Sequence, residues 1–385
     1  MLQVPDRKLR LRAEVIGREA LPTLAPAWED LCARSVEDNV YYAPRYARAL
    51  INNIDHDSSL RFATVWQGET LAALLPFKRS KIEMPLPGTA ARAWHTDYTF
   101  SCTPLLDRTR CTDAAAALVD LLGTIHPGEW IIPLVNRQGG VCRAMTEALK
   151  KDDRPWQLSI VFERAMLDCA GDFDQHMQTH LSSKRRRDLT RNRRRLEEIG
   201  TVVHESHCAG EGLDRAIETF LDIEASGWKG KRGTALACRE ATRQFARDAF
   251  TGDAENSVCR ADVLKLSGAP IAVSLVVFAG STGFTVKCAY DQNYRSYSAG
   301  LLLEIEVIRS FLTERWASRL DGATNGAHVI DSLWPGRIEI ADLMFSLAPR
   351  HASWRLSALT RVEHAKQSVK TAAKAFATSV GSVLT

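Results

Sequence analysis

A change of hydrophobic period near residue 290 constrains this chain more than any other feature. Residues 274–286, SLVVFAGSTGFTV, read as two short strands around a glycine-containing turn, whereas Leu301, Ile305, Ile308, Leu312 and Trp316 recur at helical spacing. Between them lies a polar loop with Tyr290, Tyr294 and Tyr297. The segment is therefore a helix leaving a sheet. Ser298 is placed to cap that helix, and Gly300 lets backbone lie close to whatever covers the first turn. A helix start offers unpaired N–H groups and a positive dipole end, which suit a phosphate or an oxyanion. The same residues also read as a capped helix that binds nothing.

The sequence has 385 residues, enough for two or three units rather than one. Two stretches repeat a strand–glycine turn–strand pattern: VWQGETLAALLPF at 65–77 and LKLSGAPIAVSLVVF at 264–278. Gly68 aligns with Gly268, Leu71 with Ile271 and Ala72 with Ala272, at a spacing near half the chain. Two copies of one α+β unit require such a spacing. Helices are expected over 24–35, from Pro44, over 112–125, as one long element over 173–199, and over 213–228 and 239–250. KKDDRP at 150–155 reads as a linker. After Trp354 comes a moderately basic helix with a weak seam of Val362, Ala365, Val369, Ala373 and Phe376.

The nine cysteines are scattered and never form a C-x-x-C pair, which argues against a disulfide framework or a zinc site. His176 and His180 stand at i, i+4, but Met177 replaces the glutamate of H-E-x-x-H. No apolar run approaches the roughly 20 residues of a membrane span. The opening residues carry no signal-peptide core, so a cytoplasmic chain is expected.

Charge is concentrated in one place. Residues 184–195, KRRRDLTRNRRR, hold eight basic groups and one acidic. The whole chain has 50 basic and 46 acidic residues, so the remainder has 42 against 45 and is slightly acidic. Wound as a helix, the run sets Arg187, Arg191, Arg194 and Arg195 near one face and Leu189 and Leu196 on another. A solvated helix face is one reading. A polyanion partner explains so many like charges better. Aromatics are absent from the run, so base stacking is not indicated.

Four segments, SSKRRRDLTRNRRRLEEIG, FLDIEASGWKGKRGTAL, GAPIAVSLVVF and KCAYDQNYRSYSAGLLLEIEVI, together resemble acyltransferases of the GNAT superfamily, in the same order. The subgroup is the CelD/BioF-like one, related to the FemAB aminoacyltransferases, and the clear resemblance covers about residues 173–340. Its Y-D-x-x-Y-x-x-x-S-x-G-x-L-L pattern is carried by Tyr290, Asp291, Tyr294, Ser298, Gly300, Leu302 and Leu303. Ala299 stands where the family usually has proline, and the Q/R-x-x-G-x-G/A fingerprint of ordinary acyl-CoA enzymes is missing before the helix.

The resemblance implies two tandem GNAT-like α+β units, each a mixed sheet flanked by helices. The expected division is 1–165, 166–350 and a basic helical tail at 351–385. It implies transfer of an acyl group from a thioester, with acyl-CoA as co-substrate and no bound cofactor, to an amine or hydroxyl. The resemblance does not name the acceptor; a small molecule or an envelope or polysaccharide precursor is the expectation. An aminoacyl-tRNA donor, as in the FemAB branch, and a non-catalytic polyanion-binding scaffold are the rivals.

Acyl transfer needs a base for the acceptor and stabilisation of an oxyanion. Asp321 at a strand end, and His328 and Asp331 in the loop beside Trp334 and Pro335, are the candidate catalytic residues. His328 reads equally as a loop histidine bonding backbone. Lys287, Tyr290, Asp291, Tyr294, Ser298 and Gly300 are the candidate donor-binding residues. Lys184, Arg187, Arg191, Arg194 and Lys229 are the candidate anion-binding residues. Lys229 has a second reading, in which Gly230 stops the preceding helix and the lysines satisfy its dipole.

Overall fold

The computed structural model describes residues 11–81, 88–252, 258–324, 329–348 and 354–368. Its strands are β1 (Leu11–Ile16), β2 (Arg61–Gln67), β3 (Thr70–Lys81), β4 (Thr89–Ala93), β5 (Leu105–Leu106), β6 (Glu129–Asn136), β7 (Trp156–Asp168), β8 (Val202–His207), β9 (Cys259–Leu266), β10 (Ala269–Ala279), β11 (Thr282–Tyr290), β12 (Arg319–Asp321) and β13 (Gly336–Ser346). The helices are α1 (Leu21–Arg34), α2 (Pro44–Asn53), α3 (Cys111–Ile125), α4 (Gly140–Lys151), α5 (Phe173–His180), α6 (Ser183–Glu197), α7 (Gly210–Ser226), α8 (Trp228–Lys231), α9 (Glu240–Phe250) and α10 (Ala299–Glu314). A final helix runs over 354–368.

The chain divides into two compact units. The first takes residues 1–39, 57–163 and 339–385, and the second takes 40–56 and 164–338. The first unit orders its strands β1-β2-β3-β4-β6-β13, antiparallel at every step except β4 with β6. The second orders them β8-β9-β10-β11-β12-β7, antiparallel at every step except β11 with β12. The two strings are identical in sequence of pairings. The hairpins β2–β3 and β9–β10 hold the same place in each.

Their turns differ in detail. Gly68, at φ +59°, is the first of two loop residues, whereas Gly268, at φ +86°, is the second and follows Ser267 at φ 48°. The aligned glycines therefore sit one position apart in the turn. Each provides a left-handed conformation that suits the twist of a two-residue hairpin.

Two segments are exchanged relative to a simple split near residue 165. Residues 40–56 pack into the second unit through aromatic rings: Tyr41 meets Phe284 at 5.7 Å and Tyr46 meets Phe245 at 5.5 Å. Asn53 Nδ2 also donates to Asp248 Oδ2 at 2.8 Å. Conversely, β13 pairs with β6, and the final helix buries Leu356 and Leu359 against Ala90, Ile131 and Met344 of the first unit. The tail thus docks through those two leucines and not through a seam at Val362 and Ala365, of which the latter is exposed. The remaining seam positions, 369, 373 and 376, lie outside the described residues.

The long helix expected over 173–199 is two. Leu181 is extended, at ψ 132°, and Ser182 starts α6 by accepting the Arg185 N–H on its Oγ at 3.2 Å. Leu189 and Leu196 are the buried side of α6, as the period predicts. α10 is buried on several sides, with Leu303, Ile308 and Phe311 in the core of the second unit beside Leu264, Ile271 and Leu320.

Candidate active site in the second unit

β11 pairs with β10 along its whole length but with β12 only from Thr282 to Phe284. β12 then ends. Gly322 turns back to donate its N–H to Ala165 O, and Thr285 Oγ1 donates to Gly322 O at 2.6 Å. Among the described residues no strand flanks β11 from Lys287 to Tyr290 on that side, so the sheet opens where the loop to α10 begins. Val286 is the extra residue of a bulge between β10 and β11, a feature that bends a strand and re-aims its side chains.

The loop folds as a 3₁₀ turn over Gln292–Tyr297, started by Asp291, whose Oδ1 accepts the Asn293 N–H at 2.9 Å. Asp291 is thus spent on the turn. Ser298 does not cap α10 with its side chain. It sits in the left-handed region at φ 57°, and its Oγ instead accepts from Asn192 Nδ2 at 3.1 Å. Its carbonyl accepts the N–H groups of Leu301 and Leu302, so the helix start keeps its own first N–H groups uncovered by a side-chain cap.

Gly300 makes a close approach to protein. A Cβ there would stand 3.1 Å from Tyr290 Cδ1 and 3.6 Å from Cys288 Sγ. The residue over the first turn is therefore Tyr290, and the glycine makes room for its ring. Tyr294 and Tyr297 stand with ring centres 6.4 Å apart and pack on the same core.

The basic helix α6 lies against this loop. Besides the Asn192–Ser298 bond, the Arg195 guanidinium sits 5.1 Å from the Tyr297 ring centre, a cation–π contact. Lys184, Arg187, Arg191 and Arg194 are all exposed and follow one another at steps of three or four residues, one stripe of the helix. Acids do accompany the run. Asp188 pairs with Arg191, Glu197 with Arg193 and Glu198 with Arg194, and Arg193 also reaches Glu306 at 3.0 Å. The pairs at Arg191 and Arg194 are exposed and add little to stability. Lys184 and Arg187 form no ion pair among the described residues.

On the other side of β11, Lys287 and Lys229 share one acid. Lys287 Nζ lies 3.0 Å and Lys229 Nζ 3.1 Å from Glu224 Oε1, while the Leu236 N–H donates to Oε2 at 2.8 Å. Burial works to raise the Glu224 carboxyl, but Lys287 and Lys229 outweigh it and leave the group below its ordinary value. Burial pulls the Lys287 ammonium down, with Glu224 opposing. α7 stops at Gly227, not at Gly230. Gly230 lies inside α8, where a Cβ would come within 1.7 Å of Ala225 O.

The proposed bases fare differently. Asp321 is buried, and its Oδ1 accepts from Arg164 Nη1 at 3.2 Å and from the Ala323 N–H at 2.7 Å. It is a staple between β7 and β12 more than a free base. Asp331 lies in a 3₁₀ turn over Val329–Ser332, and its carbonyl accepts from Arg337 Nη2 at 2.9 Å. His328 lies outside the described residues.

Four residues were not singled out by the sequence: Asn192, Glu224, Arg164 and Glu304. Two carried a signal. Glu224 continues the apolar row Leu213, Ile217, Phe220 of α7, and Glu304 stands four residues before Ile308 on α10. Glu304 is buried, accepts from Trp334 Nε1 at 3.1 Å, and is raised by burial to about 7.

Residues 183–322 match the family described as an acetyltransferase (GNAT) domain. No curated protein matches the chain significantly. Among solved structures, FemX is similar at a TM-score of 0.57 and 12% identity, over 89% of this chain and 99% of that one. The C-terminal domain of a putative lysylphosphatidylglycerol synthetase from Agrobacterium fabrum is similar at a TM-score of 0.51 and 11% identity, over 88% of this chain and 96% of that one. With the repeated strand order, the fold is two tandem GNAT-like units, and the chain is an acyltransferase.

Proposed function

We propose that this acyltransferase takes its acyl group from a phosphate-bearing thioester, acyl-CoA, held in the second unit where α6 meets the start of α10. The observation that carries this reading is the fastening of a cationic helix to an uncapped helix start, through Asn192–Ser298 and Arg195–Tyr297. The stripe Lys184, Arg187, Arg191 and Arg194 supplies positive charge for phosphates. The first N–H groups of α10 add the favourable end of a helix dipole. The open edge of β11 beyond Phe284 offers backbone groups to the thioester carbonyl, as an oxyanion requires. The acceptor is an amine or hydroxyl, and the likeness of the segment order to the CelD/BioF-like group favours an envelope or polysaccharide precursor.

An aminoacyl-tRNA donor is the second reading, favoured by the length of the basic face. Lys184 to Arg194 spans about 15 Å of helix axis, longer than one diphosphate needs. The test is to incubate the full chain with a panel of acyl-CoA thioesters, and separately with aminoacylated tRNA, and to follow bound, hydrolysed or transferred acyl groups by mass spectrometry. Turnover of a thioester supports the first reading. Turnover of the tRNA ester alone supports the second. No turnover and no binding of either rejects both.

A further inference from the structure

The Glu224 cluster carries more positive charge than its single acid accounts for. Two ammonium groups meet one carboxylate oxygen. Trp228 stands 48% exposed at the rim, and the Arg232 guanidinium lies 5.2 Å from its ring centre. The narrow cleft between them is lined by Glu224, Trp228, Lys229, Tyr290 and Gln292. Glu224 is itself buried and ties Lys229 of α8 to Lys287 of β11. The carboxylate thus fixes Lys229, which stands in the cleft's lining, and Lys287, which lies outside the lining and reaches it through Glu224, and neutralises one of them. Both lysine side chains keep about a quarter of their surface open, 27% and 23%.

We infer that this cleft binds the single anionic group, carboxylate or phosphate monoester, of the acceptor molecule. It lies on the α7 side of β11, whereas the cationic face of α6 meets the loop through Tyr297 and Ser298. Tyr290 lies between the two: it lines the cleft, and its ring covers Gly300. An acceptor held by its anion at Lys229 and Lys287 lies beside the open edge of β11, with Trp228 covering its apolar part. That the anion belongs to an acceptor rests on the acyl-transfer reading. The anion site does not.

The test uses ligand-observed saturation-transfer NMR on the full chain without any donor. Glycine and phosphoethanolamine present an amine with a carboxylate or a phosphate. Glycinamide and ethanolamine present the amine alone. Binding of glycine or phosphoethanolamine, and not of the pair that lacks an anion, is expected, and which of the two binds names the anion. Lys287→Met and Lys229→Met should each weaken binding about tenfold, the loss of one charge-assisted hydrogen bond. Lys287→Arg should restore most of it. Each single methionine variant leaves Glu224 paired with the other lysine, so the fold is retained. Equal binding of amines with and without an anionic group, indifference to both methionine variants, or binding of neither anion at millimolar concentration overturns the site. Anion binding in a chain that turns over no acyl donor keeps the site and removes the acceptor role.

Discussion

Replacing Glu304 with glutamine should go from nearly neutral to stabilising as pH rises. The carboxyl is buried among the core residues of α10, and burial raises it from 4.5 to about 7. Between those values the folded chain holds a proton that the unfolded chain has released. Stability therefore falls as pH rises through this window, and the full penalty is present above about pH 7. A shift of this size corresponds to roughly 3 kcal/mol at 1.36 kcal/mol per unit. Glutamine removes the ionisation and keeps an oxygen for the Trp334 N–H. At pH 5 the Glu304→Gln chain should lie within about 1 kcal/mol of the parent. At pH 8 it should be more stable by about 2–3 kcal/mol. Urea unfolding followed by tryptophan fluorescence at pH 5, 6, 7 and 8 measures this, and groups common to both chains cancel in the difference. A difference that stays flat with pH, or a glutamine chain that is weaker at pH 8, refutes the reasoning.

Changing Lys184, Arg187 and Arg191 together to glutamine should leave the melting temperature within about a degree, since such exposed charges add little. Binding of CoA or tRNA should weaken and lose part of its salt dependence, seen by titration at two ionic strengths. Asp321→Asn should cost about 1.5–3 kcal/mol by taking the carboxylate charge out of its hydrogen bond with the buried Arg164. Chemical unfolding checks this, and an unchanged stability with lost turnover would instead return Asp321 to the role of base. Gly230→Ala should destabilise the second unit by more than the ~1 kcal/mol of a lost contact, because its Cβ meets a backbone carbonyl. Thermal melting reads the effect, with Gly123→Ala, whose Cβ would meet only Leu347 Cδ1 at 3.8 Å, as the control.

The parts of this fold that were legible in the sequence are those that repeat a local period. The paired hairpins, the buried stripe Leu189 and Leu196, and the strand leading into α10 all follow from spacing. The break at Leu181 was hidden because both flanking segments keep helical periodicity, and only the Ser182 cap separates them. Site geometry was less legible. Ser298 has the right chemistry for a cap, but its left-handed backbone turns the hydroxyl to Asn192, which is 106 residues away in the chain. Lys229 and Lys287 were each visible as basic residues, whereas their meeting at Glu224 depends on α7 lying along β11. Acids at apolar helical positions, Glu224 and Glu304, were the signal that a period count should have weighed.

The exchange of segments between units sets the order in which the chain can mature. A nascent first unit lacks the strand that pairs with β6 until residue 346 has been made, by which time the whole second unit has also been synthesised. The segment 40–56, in turn, waits for Phe245 and Phe284 before its tyrosines have a partner. N-terminal folding ahead of synthesis, the usual course for tandem domains, would leave β6 of this chain without one of its two partners until late in synthesis. A ribosome paused anywhere between residues 164 and 335 holds an unclosed sheet, so limited proteolysis of stalled chains should cut within β6 until β13 has emerged.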